Sequence, residues 1–223
     1  MSEPLEPSTI TRVPSEEASK RIKRFVQGCF GLLVIPRLAA YFIAKTLIGE
    51  RAITSSAESI ARVPGLRGVY LRQAFYRHTL ASCGADVYLG WNTVFSMAEA
   101  SVAEKAYIGR SCFIGFAEIG EEAMLADGVH VLSGGREHDH GDSRTSIHNQ
   151  GQTLAKVRIG KGAWIGAGAV IMADVGAHAI VGAGSVVNRP IPPGVVAAGV
   201  PATPRKVRPG FEQNEASQLE SNN

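Results

Sequence analysis

The chain carries two hydrophobic textures, and they meet near residue 85. From residue 19 to 80 apolar residues fall at helical spacing. The stretch Phe25 to Ile48 is the most apolar, but Gln27, Arg37 and Lys45 interrupt it and Pro36 sits near its middle. A membrane-spanning helix wants about 20 nearly uncharged residues, so this stretch predicts one helix, or two joined by a kink at Pro36, with an apolar face. Ser55 with Glu58 fits a capping box and predicts a helix start near Ser55, ended by Pro64-Gly65. A third helix is expected from about Leu66 to Thr79, with Val69, Tyr70, Ala74 and Phe75 near one face.

From Val87 the period changes to six. Val102-Ala103, Ile108-Gly109 and Ile114-Gly115 form one series; Ile119-Gly120, Leu125-Ala126 and Val131 a second. Ile159-Gly160, Ile165-Gly166 and Ile171 form a third; Val175-Gly176, Val181-Gly182 and Val187 a fourth. Neither a helix, at 3.6 residues per turn, nor a flat strand, at 2, gives this spacing. A chain that makes a short strand, turns a corner and repeats does give it, and three such strands make a triangular coil of about 18 residues. The aliphatic residue faces into the prism, and the next is small because the corner is tight. Stacked coils satisfy one another's backbone groups, and the ends of the stack need covers. The helical segment is expected to cover one end. The fold class is therefore mainly β with an N-terminal α-helical segment.

The organisation that follows is a disordered start over 1–18, a helical segment over 19–82, a solenoid over 83–208 and a disordered tail over 209–223. Aromatics make up only 7% of the 223 residues while glycines number 25, which suits thin stacked strands. A formal charge of +3, without a basic stripe interleaved with rings, argues against a nucleic-acid partner. Cys29, Cys83 and Cys112 are scattered, form no disulfide framework and have no metal-ligand spacing, so no metal is expected and a reducing compartment is. The first residues, with Ser2, Glu3 and Glu6, do not read as a secretion signal. The cytoplasm is the expected location. The basic cluster Lys20-Arg21-Lys23-Arg24 before the apolar stretch makes peripheral contact with the inner face of the membrane, through residues 20–48, a second expectation.

The six-residue period breaks between Ser133 and Lys156. The break reads Ser-Gly-Gly-Arg-Glu137-His138-Asp139-His140-Gly-Asp142-Ser-Arg144, and so long a polar excursion from a regular solenoid is usually functional. Histidine is the residue type suited to take a proton from a hydroxyl near neutral pH. His138, His140 and His130 are the candidate bases. Glu137, Asp139 and Asp142 are the acids that would fix an imidazole tautomer. Gln150 and Gln152, at the end of the loop, are candidate acceptor contacts. Arg205, Lys206 and Arg208 form a basic cluster suited to phosphates.

The segments Val157-Arg-Ile-Gly-Lys-Gly-Ala-Trp164-Ile-Gly-Ala-Gly-Ala, Val181-Gly-Ala-Gly-Ser-Val-Val, Ile191-Pro-Pro-Gly and Ala198-Gly-Val-Pro-Ala202 resemble the C-terminal half of hexapeptide-repeat acetyltransferases. Galactoside, maltose, colanic-acid and exopolysaccharide O-acetyltransferases belong to that group. The resemblance covers roughly 85–208. It implies a left-handed parallel β-helix, a homotrimer with active sites between subunits, acetyl-CoA as co-substrate and a sugar-like acceptor. It also implies His138 as base with Asp139 beside it, and a channel for the cofactor lined by Ala167 and Ala183 with Gly166 and Gly184. Asn188 and Arg189 take the positions near the nucleotide, with Arg205 and Lys206 close to its phosphates. Trp164 borders the cleft or a subunit contact. One departure stands out: galactoside-type enzymes hold the acceptor with an Asn in the coil before the loop, and Ile114-Gly-Phe-Ala117 has none. The other readings are acetylation of a xenobiotic such as an antibiotic, and a zinc protein like the γ-carbonic anhydrases, for which His130, His138 and His140 would supply nitrogens.

Overall fold

The computed structural model describes residues 16–139 and 141–211, with the backbone alone for residues 16–20. His140 and most of the two terminal segments expected to be disordered lie outside the described residues.

Helix α1 (Glu16–Leu33) and helix α2 (Ile35–Ile48) are bent by 46° at Val34. The break precedes Pro36 by two residues. The proline has become an early position of α2, where its missing N–H costs nothing. Gly49, at φ 63°, ends α2 by returning its N–H to the Lys45 carbonyl. Helix α3 (Arg51–Ala61) follows at once. Ser55 is therefore inside a helix and caps nothing, and Pro64-Gly65 opens helix α4 (Gly65–Thr79) rather than closing α3. The capping-box reading fails because the turn at Gly49 had already begun the helix upstream.

The solenoid follows in chain order. Coil 1 is β1 (Ser82–Cys83), β2 (Tyr88–Leu89) and β3 (Val94–Phe95). Coil 2 is β4 (Ser101–Val102), β5 (Tyr107–Ile108) and β6 (Phe113–Ile114). Coil 3 is β7 (Ala117–Ile119), β8 (Met124–Leu125) and β9 (His130–Val131). After the loop, coil 4 is β10 (Val157–Ile159), β11 (Trp164–Ile165) and β12 (Val170–Ile171). Coil 5 is Val175 with β13 (Ile180–Val181) and β14 (Val186–Val187), and a partial sixth coil is Ile191 with β15 (Val195–Ala198). Strands of equal place in successive coils pair in parallel and form three faces. Strand β16 (Thr203–Val207) turns back and pairs antiparallel with β15.

The inward residues are those of the six-residue series. Val102, Ile108, Ile114, Ile119, Leu125, Val131, Ile159, Ile165, Ile171, Val175, Val181 and Val187 are all buried in one core with Phe95 of the first coil and Tyr41, Phe75 and Tyr76 of the cover. The first and second corners turn through a left-handed residue two places after the tight one. Gly168 and Gly184 fill that position freely, whereas Lys105, Glu122 and His178 adopt it at positive φ with a side chain.

Helix α4 seals the first coil with polar side chains. The fully buried Arg72 donates from Nε to the Leu89 carbonyl at 3.0 Å, and from Nη1 to the carbonyls of Val63 and Ala61 at the end of α3. Gln73 donates to the Val87 carbonyl. Two carbonyls of coil 1 thus find donors in the helix. Burial pushes the Arg72 guanidinium pKa down.

Candidate active site

The 133–156 excursion leaves the prism at the third corner, between β9 and β10, and its root is a single residue, Phe116. Ser133 Oγ accepts the Phe116 N–H at 3.0 Å, and the Val157 N–H returns to the Phe116 carbonyl at 2.9 Å. Lys156 Nζ lies 4.9 Å above the Phe116 ring. Both ends of the loop are therefore fixed to the same residue of the coil below. The Ser133 carbonyl takes the Ala155 N–H at 2.8 Å, which closes the neck.

Beyond the neck the two rails of the loop are laced. The Asp139 N–H donates to the Gly151 carbonyl, and Thr153 Oγ1 donates to Asp139 Oδ1 at 3.1 Å. Nearer the tip, Gln150 accepts the Asp142 N–H at 3.0 Å and donates from Nε2 to the carbonyls of Asp142 and Thr145. A short 3₁₀ turn, Ile147–Asn149, ends against Gln150. The amide of Gln150, expected from sequence at the acceptor, is bonded here to the loop's own backbone and staples its tip. Gln152 is exposed.

The three acids expected to orient a histidine each hold part of the loop. Glu137 Oε1 takes the Ser133 N–H at 2.6 Å, Asp139 takes the Thr153 hydroxyl, and Asp142 takes the Arg144 N–H at 2.8 Å and the Thr145 hydroxyl at 2.9 Å. The Arg144 N–H and the Thr145 hydroxyl keep the Asp142 carboxyl below the usual carboxylate range. His138 is exposed between the neck and the Asp139 lacing. His130 points outward from the third face, its ring 6.2 Å from Phe113, on the strand that feeds the loop. His148, in the 3₁₀ turn, is a further exposed imidazole that the sequence reading did not single out.

The other expected site residues fall on two edges of the prism. At the second corner Gly166-Ala167-Gly168 and Gly182-Ala183-Gly184 stack, with the Gly184 N–H on the Ala167 carbonyl at 2.8 Å. A methyl on Gly166 would stand 2.4 Å from Ala183 N, so the coils touch backbone to backbone. Outside Gly168 and Gly184 the space is open, and Ala167 and Ala183 are exposed. The result is a ridge almost free of side chains. Arg205 Nη2 reaches the Ala198 carbonyl at 3.3 Å at one end of the ridge. At the other end Arg110 and Asp127 pair at 2.8 Å, and the Arg110 N–H and guanidinium hold the Asp127 carboxyl below its usual range. Asn188 and Arg189 are exposed at the third corner, the loop's edge, two coils further on. Lys206 lies on β16 opposite Val196. Arg208 is engaged elsewhere, with Nη1 on the His178 carbonyl at 2.6 Å and its guanidinium over Phe211. Trp164 is half exposed on the second face, between Met124 and Ile180.

The model for the bacterial transferase hexapeptide (six repeats) matches residues 156–189. The bifunctional protein GlmU of Rubrobacter xylanophilus is 34% identical over 117 residues, which is 49% of this chain and 20% of that protein; the chain thus spans about a fifth of that relative's length. Among solved structures, a maltose O-acetyltransferase from Clostridium difficile 630 superposes with a TM-score of 0.65 at 26% identity, over 74% of this chain and 89% of the other. A galactoside acetyltransferase in complex with coenzyme A superposes at 0.62 and 22% identity, over 74% and 83% of the two chains. With its inward aliphatic series and three-faced parallel stack, the chain has the fold of these hexapeptide acetyltransferases, and the repeat model matches it over coils 4 and 5.

Proposed function

We propose that the chain is an acetyl-CoA-dependent O-acetyltransferase that acts on a hydroxyl of a sugar or polysaccharide precursor, with His138 as general base. The observation that carries this reading is the coexistence of two features. A laced polar loop presents an exposed imidazole, and a ridge of glycine and alanine only, at coils 4 and 5, runs along the solenoid, with Arg205 at its end. The likeness to the Clostridium difficile maltose O-acetyltransferase supports the same reaction class.

The ridge suits an extended thioester arm, because the backbone of Ala167 and Ala183 is accessible without intervening side chains. Arg205 and Lys206 would face the phosphates of the nucleotide. His138 takes the proton of the acceptor hydroxyl as its oxygen attacks the thioester carbonyl. The new C–O bond forms, the C–S bond breaks, and the imidazolium returns the proton to the departing thiolate. Backbone N–H groups beside the carbonyl would stabilise the oxyanion. No acyl-enzyme is required.

Within one chain the loop roots at the third corner and the ridge runs along the second. A threefold ring would lay one subunit's loop against the next subunit's ridge, through a contact that closes on itself. We therefore assign the working form as a homotrimer. The apolar outward residues of the second face, Tyr107, Met124 and Trp164, support a subunit contact there.

The test is an acceptor screen with acetyl-CoA, reading free thiol release across sugars, nucleotide sugars and xenobiotics, with sedimentation of the protein alongside. Turnover on a sugar hydroxyl by a trimer is expected. Turnover confined to an antibiotic would replace the acceptor class. Absence of thiol release with every class would overturn the enzymatic reading.

A further inference from the structure

Helices α1 and α2 each carry two apolar faces, and only one is used. The inner face packs on the cover: Phe30 stacks on Tyr70 at 5.4 Å, and the buried Tyr41 meets Phe75 at 5.8 Å. An ordinary surface helix would be polar on its other side. Here the outer side of α1 presents Ile22, Phe25, Leu32 and Leu33, and that of α2 presents Ile35, Phe42, Ile43, Leu47 and Ile48. Phe25 is 74% exposed and Leu47 77%. The positions 22, 25, 32 and 33, then 35, 42, 43 and 47, keep to one stripe on each helix.

Charge adds the second observation. Between Glu17 and Glu50 the sequence has no acidic residue, while Lys20, Arg21, Lys23, Arg24, Arg37 and Lys45 are all cationic. Lys23 is engaged with Asp86 at 2.9 Å and Lys45 with Glu50 at 3.5 Å. Arg21, Arg24 and Arg37 are exposed, Arg24 on the flank of α1 toward Asp86 and Arg37 on the flank of α2 toward Ser55 and Ser59. Among the described residues no single helix is long and apolar enough to cross a bilayer, and the pair that passes by length and composition is bent by 46°.

We propose that the outer side of α1–α2 is a seat for the surface of an anionic lipid bilayer, with the apolar stripe sunk to acyl-chain depth and Arg21 and Arg24 at the phosphates. The uncompensated cationic excess along α1–α2 would meet its own kind in a twofold contact between copies of this region, which disfavours self-association through it. The apolar runs 25–36 and 38–44 contain no charge, as insertion requires, and the cations stand at their edges, where long side chains reach the headgroups.

The experiment is flotation of the full-length protein with vesicles of phosphatidylcholine alone or phosphatidylcholine doped with phosphatidylglycerol. Recovery with the anionic vesicles, diminished by salt and released by alkaline carbonate, is expected. The double variant Phe25→Ser/Leu47→Ser alters exposed side chains only, so its circular dichroism should be unchanged. It should lower partitioning at least about tenfold. Arg24→Glu should lower it about fivefold on anionic vesicles and not on neutral ones. Three outcomes overturn the proposal. The wild-type protein could remain in the bulk with both vesicles. It could resist carbonate as an integral protein does. Or it could form a larger assembly that the double variant dissolves, in which case the face joins copies of this chain.

Discussion

Phe116 and Ser133 share a hydrogen bond, 3.0 Å from the Phe116 nitrogen to the Ser133 hydroxyl, and it fixes the point where the catalytic-loop candidate leaves the prism. The preceding Gly115 makes it possible: a methyl there would stand 2.6 Å from Ser133 Oγ and 3.1 Å from the Val131 carbonyl. Gly115→Ala should therefore break this bond. The expected cost is about 1–2 kcal/mol of stability, with a larger proportional loss of acyl transfer than of folded protein. Urea unfolding beside thiol-release kinetics measures both. Wild-type kinetics at reduced stability would detach the loop root from function.

His138→Ala is expected to lower acyl transfer by about 10²–10⁴ with no change in thermal unfolding, since the residue is exposed and outside the core. Equal turnover in the variant would move the base to another imidazole, and parallel variants of His130 and His148 identify which.

Gln150→Ala removes the donor shared by the carbonyls of Asp142 and Thr145. The prism does not depend on it, so the melting temperature should stay within experimental scatter. Amide exchange over 139–153 should accelerate, and kcat should drop several-fold. Unchanged exchange would mean that the remaining bonds hold the tip alone.

The pH dependence follows from Asp142. Its folded pKa lies below the ordinary value because the Arg144 N–H and the Thr145 hydroxyl favour the anion. Its contribution to loop order is present above the unfolded value of about 3.9 and lost as pH falls through the lower folded one. Between about pH 5 and 9 it is constant. Asp142→Asn should thus scale the activity profile down without moving its inflections in that window. A shifted inflection would implicate Asp142 in proton transfer.

Gly166→Ala and Arg72→Met probe the scaffold itself. The first drives a methyl to 2.4 Å from the Ala183 backbone and should cost about 1–3 kcal/mol. The second leaves the carbonyls of Leu89 and Val63 without this donor, while Ala61 keeps the Asn92 N–H, and should cost about 2–4 kcal/mol. Chemical denaturation distinguishes these from neutral substitutions.

The coils were legible in the sequence because one physical rule, an aliphatic residue inward and a small one at the corner, recurs through coils 2 to 5, broken by the 133–156 loop and at the third corners, where Leu132, Met172 and Asn188 follow the inward residue. The first coil breaks the rule lightly, with Cys83 and Phe95 inward, and only the helical cover explains the large ring there: Phe95 packs against Tyr76 at 4.7 Å. The helix starts were misread because Ser55 and Glu58 satisfy a local capping pattern while the turn at Gly49 decides the boundary. In the loop the polar excursion was evident, but the bracing roles of Thr153, Gln150 and Phe116 were not, since they come from contacts across five to forty residues that no repeat spacing encodes.

A parallel stack has no inherent length, since each coil offers the next an identical ladder of free N–H and C=O groups. Such a ladder could seed end-to-end polymers of the kind that unprotected strands form. Strand β16 reverses direction on β15, and the side chains of Arg72 and Gln73 consume carbonyls at the opposite limit. The two ends of the stack thus carry unlike chemistry, which disfavours head-to-tail concatenation and steers association to the flanks of the prism.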